Sequence, residues 1–154
     1  MDITAISTIV ATISIVIGVI FTILELRHLR RSRETEIIMK IYDRFSSREI
    51  VEAMNKIGAS NFENITDFMK KYSLTEITQL AVLFEEIGIL LEQNLISMNL
   101  VDCLFGPPLN LLWVKMKPVI YAMRQSTNQP FFTNFEYLVN RLDSHRKIVA
   151  SAPG

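Results

Sequence analysis

From Ile3 to Leu24 the chain runs 22 residues without a charge, and Arg27, Arg30, Arg31 and Arg33 follow close behind. As an α-helix rising about 1.5 Å per residue, such a run reaches roughly 33 Å, enough to cross a hydrocarbon core about 30 Å thick. A secretory signal would carry basic residues ahead of an apolar run of about 7 to 15 residues and end on a small-residue cleavage site. Here only Met1 and Asp2 precede the run, and the arginines come after it. A soluble core helix of this length would need a polar side, whereas this run offers only Thr, Ser and Gly. A single transmembrane helix is the expected outcome, and the lipid bilayer the first partner.

Basic residues beside a span are retained in the cytoplasm. Arg27, Arg30, Arg31 and Arg33 therefore predict a single-pass protein of the cell membrane, N-terminus outside and C-terminal body cytoplasmic. The same arginines meet anionic headgroups, where each basic residue contributes on the order of 1 kcal/mol. In that orientation the glycosylation sequon Asn64, Ile65, Thr66 is a chance match. Within the run, Thr4, Ser7, Ala11, Ser14, Gly18 and Thr22 recur at spacings of three and four and share one helical face. Small side chains let two helix backbones approach, and hydroxyls can bond across the contact or back to their own carbonyls. This face is a candidate association surface, for a homo-oligomer or a membrane-protein partner; the competing reading is a lone span whose hydroxyls are satisfied locally.

Residues 34–154 number 121, enough for one compact domain with a sizeable core. The expected organisation is an anchor with its basic cluster over 1–33, a cytoplasmic helical domain over 34–148 and a tail over 149–154. The whole chain balances 16 Lys and Arg against 16 Asp and Glu; without the four juxtamembrane arginines, Asp2 and Glu25, 12 face 14. A body so near neutrality lacks the basic stripe of a nucleic-acid binder, and no nucleic acid is expected as a partner. Cys103 is the sole cysteine, which excludes an internal disulfide framework and a multi-cysteine metal site.

Periodicity in the body is helical, giving an all-α class: one N-terminal transmembrane helix followed by a compact bundle of about five or six helices. Ile37, Ile38, Ile41, Tyr42 and Phe45 make an apolar stripe. Ser46 and Glu49 have capping-box spacing ahead of a short helix that buries Ile50, Val51, Met54 and Ile57 and stops near Gly58. Phe62, Ile65, Phe68, Met69 and Tyr72 form a further stripe, and Ser73 with Glu76 repeats the capping-box signal. From about Glu76 to Leu95 a helix is apolar on nearly every side and should be central. Gly106, Pro107 and Pro108 predict a break, and Pro118 a kink in the helix from Leu109 to Gln125. A last helix after Pro130 should bury Phe132, Phe135, Leu138, Val139 and Leu142.

Over Leu83 to Leu142, the pattern Phe84, Glu85, Glu86, Ile87, then Trp113, Pro118, Arg124 and later Phe135, Glu136 and Leu138 resembles a prokaryotic family described as a domain of unknown function, family 4760. That resemblance implies one N-terminal span and a small helical body. It implies no activity and no cofactor.

Glu85 and Glu86 lie among Ala81, Val82, Gly88, Ile89 and Leu90, so at least one should be half-buried and need a cation. Arg124 is the expected partner of this structural ion pair, with Glu136 competing for it. Adjacent residues diverge by about 100° on a helix and do not converge on one metal ion. No Glu-x-x-His motif occurs, and His28 and His145 stand among charges, so neither a metal nor a cofactor is expected. Cys103, in an apolar setting, reads as packing. Trp113 beside Lys115 and Lys117 reads as core, the alternative being an aromatic and basic surface for an anionic headgroup.

With no nucleophile elbow, phosphate loop or dinucleotide fingerprint, the chain is not expected to be an enzyme. The expected function is a membrane-anchored interaction or scaffold domain, an accessory subunit of a membrane complex. The alternative is a ligand- or lipid-sensing module with a pocket between the central helix and the Pro-containing helix, lined by Phe84, Trp113 or Met116 and anchored by Arg124.

Overall fold

The computed structural model describes residues 2–59, 72 and 74–151. Among them the chain is all-α, with helices α1 (Ile3–Phe45), α2 (Arg48–Ala59), α3 (Leu74–Glu92), α4 (Met98–Thr127) and α5 (Thr133–Ser151). The sequon at Asn64, the stripe residues Phe62, Ile65, Phe68 and Met69, and Ser73 of the second capping box lie outside the described residues. The chain divides into two compact units, Met1–Ile37 and Ile38–Gly154.

The first unit belongs to α1. It contains a stretch long and apolar enough to cross a membrane, and none of that stretch is buried. Val10, Ile13, Val16, Ile17, Ile20, Phe21 and Leu24 all present their side chains outward. The hydroxyls turn inward along the helix: Ser7 Oγ donates to the Thr4 carbonyl at 2.9 Å, Ser14 Oγ to Val10 at 2.9 Å and Thr22 Oγ1 to Gly18 at 2.8 Å. Such back-bonding satisfies a hydroxyl in an apolar setting without a partner helix.

In the second unit, Ile38, Ile41 and Phe45 follow a three-and-four spacing and are buried on the last turns of α1. Phe45 meets the ring of Phe105 edge-on at 4.9 Å. The cap of α2 falls one residue later than the sequence suggested: Ile50 N–H points to Ser47 Oγ at 3.5 Å, while Ser46 Oγ bonds back to the Asp43 carbonyl. Of the residues expected to be buried on α2, Ile57 is buried, Ile50 and Met54 are half-buried and Val51 is exposed, while Ala53 is buried as well.

α3 buries Ile77, Leu80, Ala81, Leu83, Phe84, Ile87 and Leu91, but Val82 and Ile89 are open on its other side. It is therefore covered on most sides, not all. It ends before Leu95 because Asn94 adopts φ 55° and closes a Schellman turn, with Leu95 N–H on the Leu90 carbonyl and Asn94 N–H on Leu91.

The expected break at Gly106, Pro107 and Pro108 does not occur, since α4 continues across it and across Pro118. Pro107 and Pro118 sit on the exposed side. The carbonyls of Cys103 and Val114, which these prolines leave without a helical donor, belong to exposed residues and can take water instead. On the inner side, Val101, Phe105, Leu109, Leu112, Trp113, Met116 and Ile120 form one unbroken buried stripe that holds the helix together. Gly106 leaves room for the Arg146 side chain, which spans from α5 to Asp102 at 2.6 and 2.9 Å.

α5 buries Phe135, Leu138, Val139 and Leu142, while Phe132 is only half-buried. Phe135 is the centre of the core: Phe84 stacks on it and Trp113 meets it edge-on, each with ring centroids 4.9 Å away.

Candidate functional site

α3 leaves one side uncovered. Thr75, Gln79, Val82 and Ile89 recur on it at spacings that stack residues along one helical face, and all four are exposed. Beside this face, α3 contributes Thr75, Thr78, Gln79, Val82 and Leu83 to a groove of about 660 Å³. Ser47, Glu49 and Ile50, at the start of α2, form the opposite wall, and Arg44 closes it from the last turn of α1. Ile50, Val82 and Leu83 are its aliphatic residues, set among Ser47, Thr75, Thr78 and Gln79 and the charges of Arg44 and Glu49. Arg44 Nη1 donates to Glu86 Oε2 at the rim.

The expected Arg124 pair with Glu85 or Glu86 is not formed. Arg124 Nη1 bonds Glu136 Oε2 at 2.6 Å, while its Nε and Nη2 reach the carbonyls of Phe131 and Phe132 at 2.7 and 3.0 Å. Glu136, about one turn beyond the Phe131–Phe132 bend, is the carboxylate that meets this fork. Glu85 is committed elsewhere: its Oε2 accepts the backbone N–H of Phe135 at 2.7 Å and its Oε1 accepts Asn134 Nδ2 at 2.8 Å. Glu86, one residue on, points to a different side and meets Arg44. Adjacent carboxylates on α3 thus serve two different contacts, as their angular divergence requires.

Tyr121 completes the Glu136 cluster, donating its hydroxyl to Oε1 at 2.5 Å. Its ring lies between two cations, with Arg124 Cζ 5.2 Å and Lys117 Nζ 5.3 Å from the centroid. Burial pushes the Glu136 pKa up, but hydrogen bonds from Tyr121 and Arg124, with the charges of Arg124 and Lys117, outweigh it and hold the pKa below the ordinary value. Donating that bond stabilises the neutral phenol, so Tyr121 is pushed above its usual range, with burial and the Glu136 charge adding to the shift.

Phe84, Trp113 and Met116, expected to line a sensing pocket, are buried, and Arg124 is engaged with the Phe131–Phe132 turn. The groove occurs on another side of α3. Cys103, expected as packing, is exposed, because the helix that runs through Pro107 turns it outward. Arg27, Arg30, Arg31 and Arg33 are exposed on α1, and so are Thr4, Ser7, Ala11, Ser14, Gly18 and Thr22. Around Gly18 an added Cβ would meet nothing within 4 Å. Among the described residues no three His, Cys, Asp or Glu side chains gather as a metal-holding group.

A family model described as Domain of unknown function (DUF4760) matches residues 12–142, from within the apolar part of α1 to Leu142 of α5. The chain belongs to that family. No curated protein and no solved structure matches it. The matched region of this DUF4760 chain takes in Glu85, Arg124 and Glu136 as well as the groove residues. Sequence reasoning missed the groove because its walls come from three separate segments. The one signal was on α3, where Thr75 and Gln79 mark as polar the side that Val82 and Ile89 leave open.

Proposed function

We propose that this chain is a membrane-anchored helical interaction domain, an accessory subunit tethered by α1 with its body in the cytoplasm. The observation that carries the reading is the contrast within α1: an apolar stretch of spanning length with its side chains outward, followed by exposed Arg27, Arg30, Arg31 and Arg33. Apolar side chains in that number are costly in water and stable in lipid. The arginines favour retention of the body on the cytoplasmic side. The helical body supports an interaction role through what it exposes, with Leu111 and Val114 outward on α4 and Val82 and Ile89 outward on α3.

The test is mass determination of the full-length protein purified in nanodiscs from its native membrane. A stoichiometric complex with a second membrane protein is the expected result. A bare monomer under gentle extraction would contradict the accessory-subunit role.

A further inference from the structure

The groove beside α3 has a composition that selects a ligand. We propose that it binds an amphiphile with an anionic oxygen head, one aliphatic chain of it lying on Ile50, Val82 and Leu83 and the head held by Arg44. Its volume of about 660 Å³ falls within the roughly 300 to 1,000 Å³ usual for small-molecule sites, which are mostly apolar with a few placed polar groups.

Arg44 supplies the charge complementarity. Its guanidinium spends Nη1 on Glu86, and among the described residues its Nε and Nη2 make no hydrogen bond. An Arg fork with donors to spare is suited to a carboxylate or phosphate oxygen. The Arg44 side chain is 56% exposed, so the head can reach it from solvent. Glu49 on the opposing α2 wall limits the charge the site accepts, since a polyanion would crowd that carboxylate, whereas one anionic head on Arg44 need not. Gln79 offers hydrogen bonds along the rim. This assignment concerns the second unit alone and does not depend on which way α1 crosses a membrane.

The experiment is photolabelling of the full-length protein in phosphatidylcholine nanodiscs, followed by peptide mapping. Three diazirine probes are compared: a dodecanoate analogue, the corresponding dodecanol, and phosphatidylglycerol with the same group in one acyl chain. The dodecanoate probe is expected to label peptides carrying Ile50 and Val82, in competition with plain dodecanoate. The alcohol should label them at least about tenfold less, the ratio expected when a hydrogen-bonded charge is lost. Arg44→Gln should abolish that acid-over-alcohol preference with the helical circular dichroism unchanged. Ile50→Trp should fill the groove and remove labelling by both; because that variant can also disturb folding, Arg44→Gln carries the decision. Labelling of the same peptides by phosphatidylglycerol would identify the bilayer as the source of the head, and labelling by the free acid alone would identify a soluble amphiphile; either supports the shared chemistry. Labelling confined to the apolar part of α1, equal labelling by acid and alcohol, or a preference that survives Arg44→Gln would overturn it.

Discussion

The carboxylate of Glu85, midway along α3, accepts the backbone N–H of Phe135 at 2.7 Å from 50 residues away in the chain. Phe135 is in the first turn of α5, where N–H groups have no partner within their own helix. Glu85 therefore caps α5 from a neighbouring helix, and its charge also complements the positive end of the α5 dipole. The second oxygen holds Asn134, so one side chain fixes both the position and the entry angle of α5. Glu85→Ala leaves that N–H and the Asn134 amide without their acceptor. It should cost about 1 to 3 kcal/mol in denaturant unfolding. Glu85→Gln, which keeps an acceptor oxygen, should cost less.

Gly88 lies one turn beyond Glu85 and faces the same neighbour. A Cβ there would run into the Asn134 backbone, with the Asn134 Cβ only 2.9 Å away. Backbone cannot yield as a flexible side chain can. Gly88→Ala should destabilise the body by about 1 to 3 kcal/mol despite the better helix propensity of alanine. Gly18→Ala is the control, since the space around Gly18 is open and the substitution should leave the body's melting temperature unchanged.

Arg124 holds a turn in an unfavourable backbone conformation. Phe132 has φ 56°, a region that bulky residues rarely enter, and Arg124 bonds its carbonyl and that of Phe131. Arg124→Ala should therefore lower stability by about 1 to 3 kcal/mol, with hydrogen exchange rising first around Phe131 to Phe135.

The same cluster sets an acid dependence. Glu136 has a folded-state pKa below its ordinary 4.5, so its contribution is present above that value and lost as pH falls through the lower folded one. Thermal melts should show stability declining on acidification below 4.5, and the decline should be shallower in Glu136→Gln.

Much of the fold was legible because burial is periodic. The stripes Ile38, Ile41, Phe45 and Phe135, Leu138, Leu142 follow from sequence spacing alone. The Gly106, Pro107 and Pro108 run points to a break because local propensity does not register the long buried stripe that carries α4 through it, or the outward placement of Pro107. The partners of Glu85 and Glu86 were not legible, and Glu136 stood only as the competing partner of Arg124, since each pairing depends on which helices become neighbours and on the left-handed backbone at Phe132. The groove was invisible for the same reason: Arg44, Ser47 and Thr75 converge only in three dimensions.

Cys103 offers a direct probe of orientation because it is the sole cysteine and is exposed. A membrane-impermeant maleimide should leave it unlabelled in intact cells and label it once the membrane is opened. Labelling in intact cells would place the body outside.

The proposal that α1 anchors the chain in a bilayer is tested most directly by alkaline carbonate extraction of membranes holding the full-length protein, followed by flotation. The account predicts that the protein floats with the lipid and is released only by detergent. Recovery in the soluble fraction would contradict it, and would mean that the exposed apolar length of α1 is covered by protein instead.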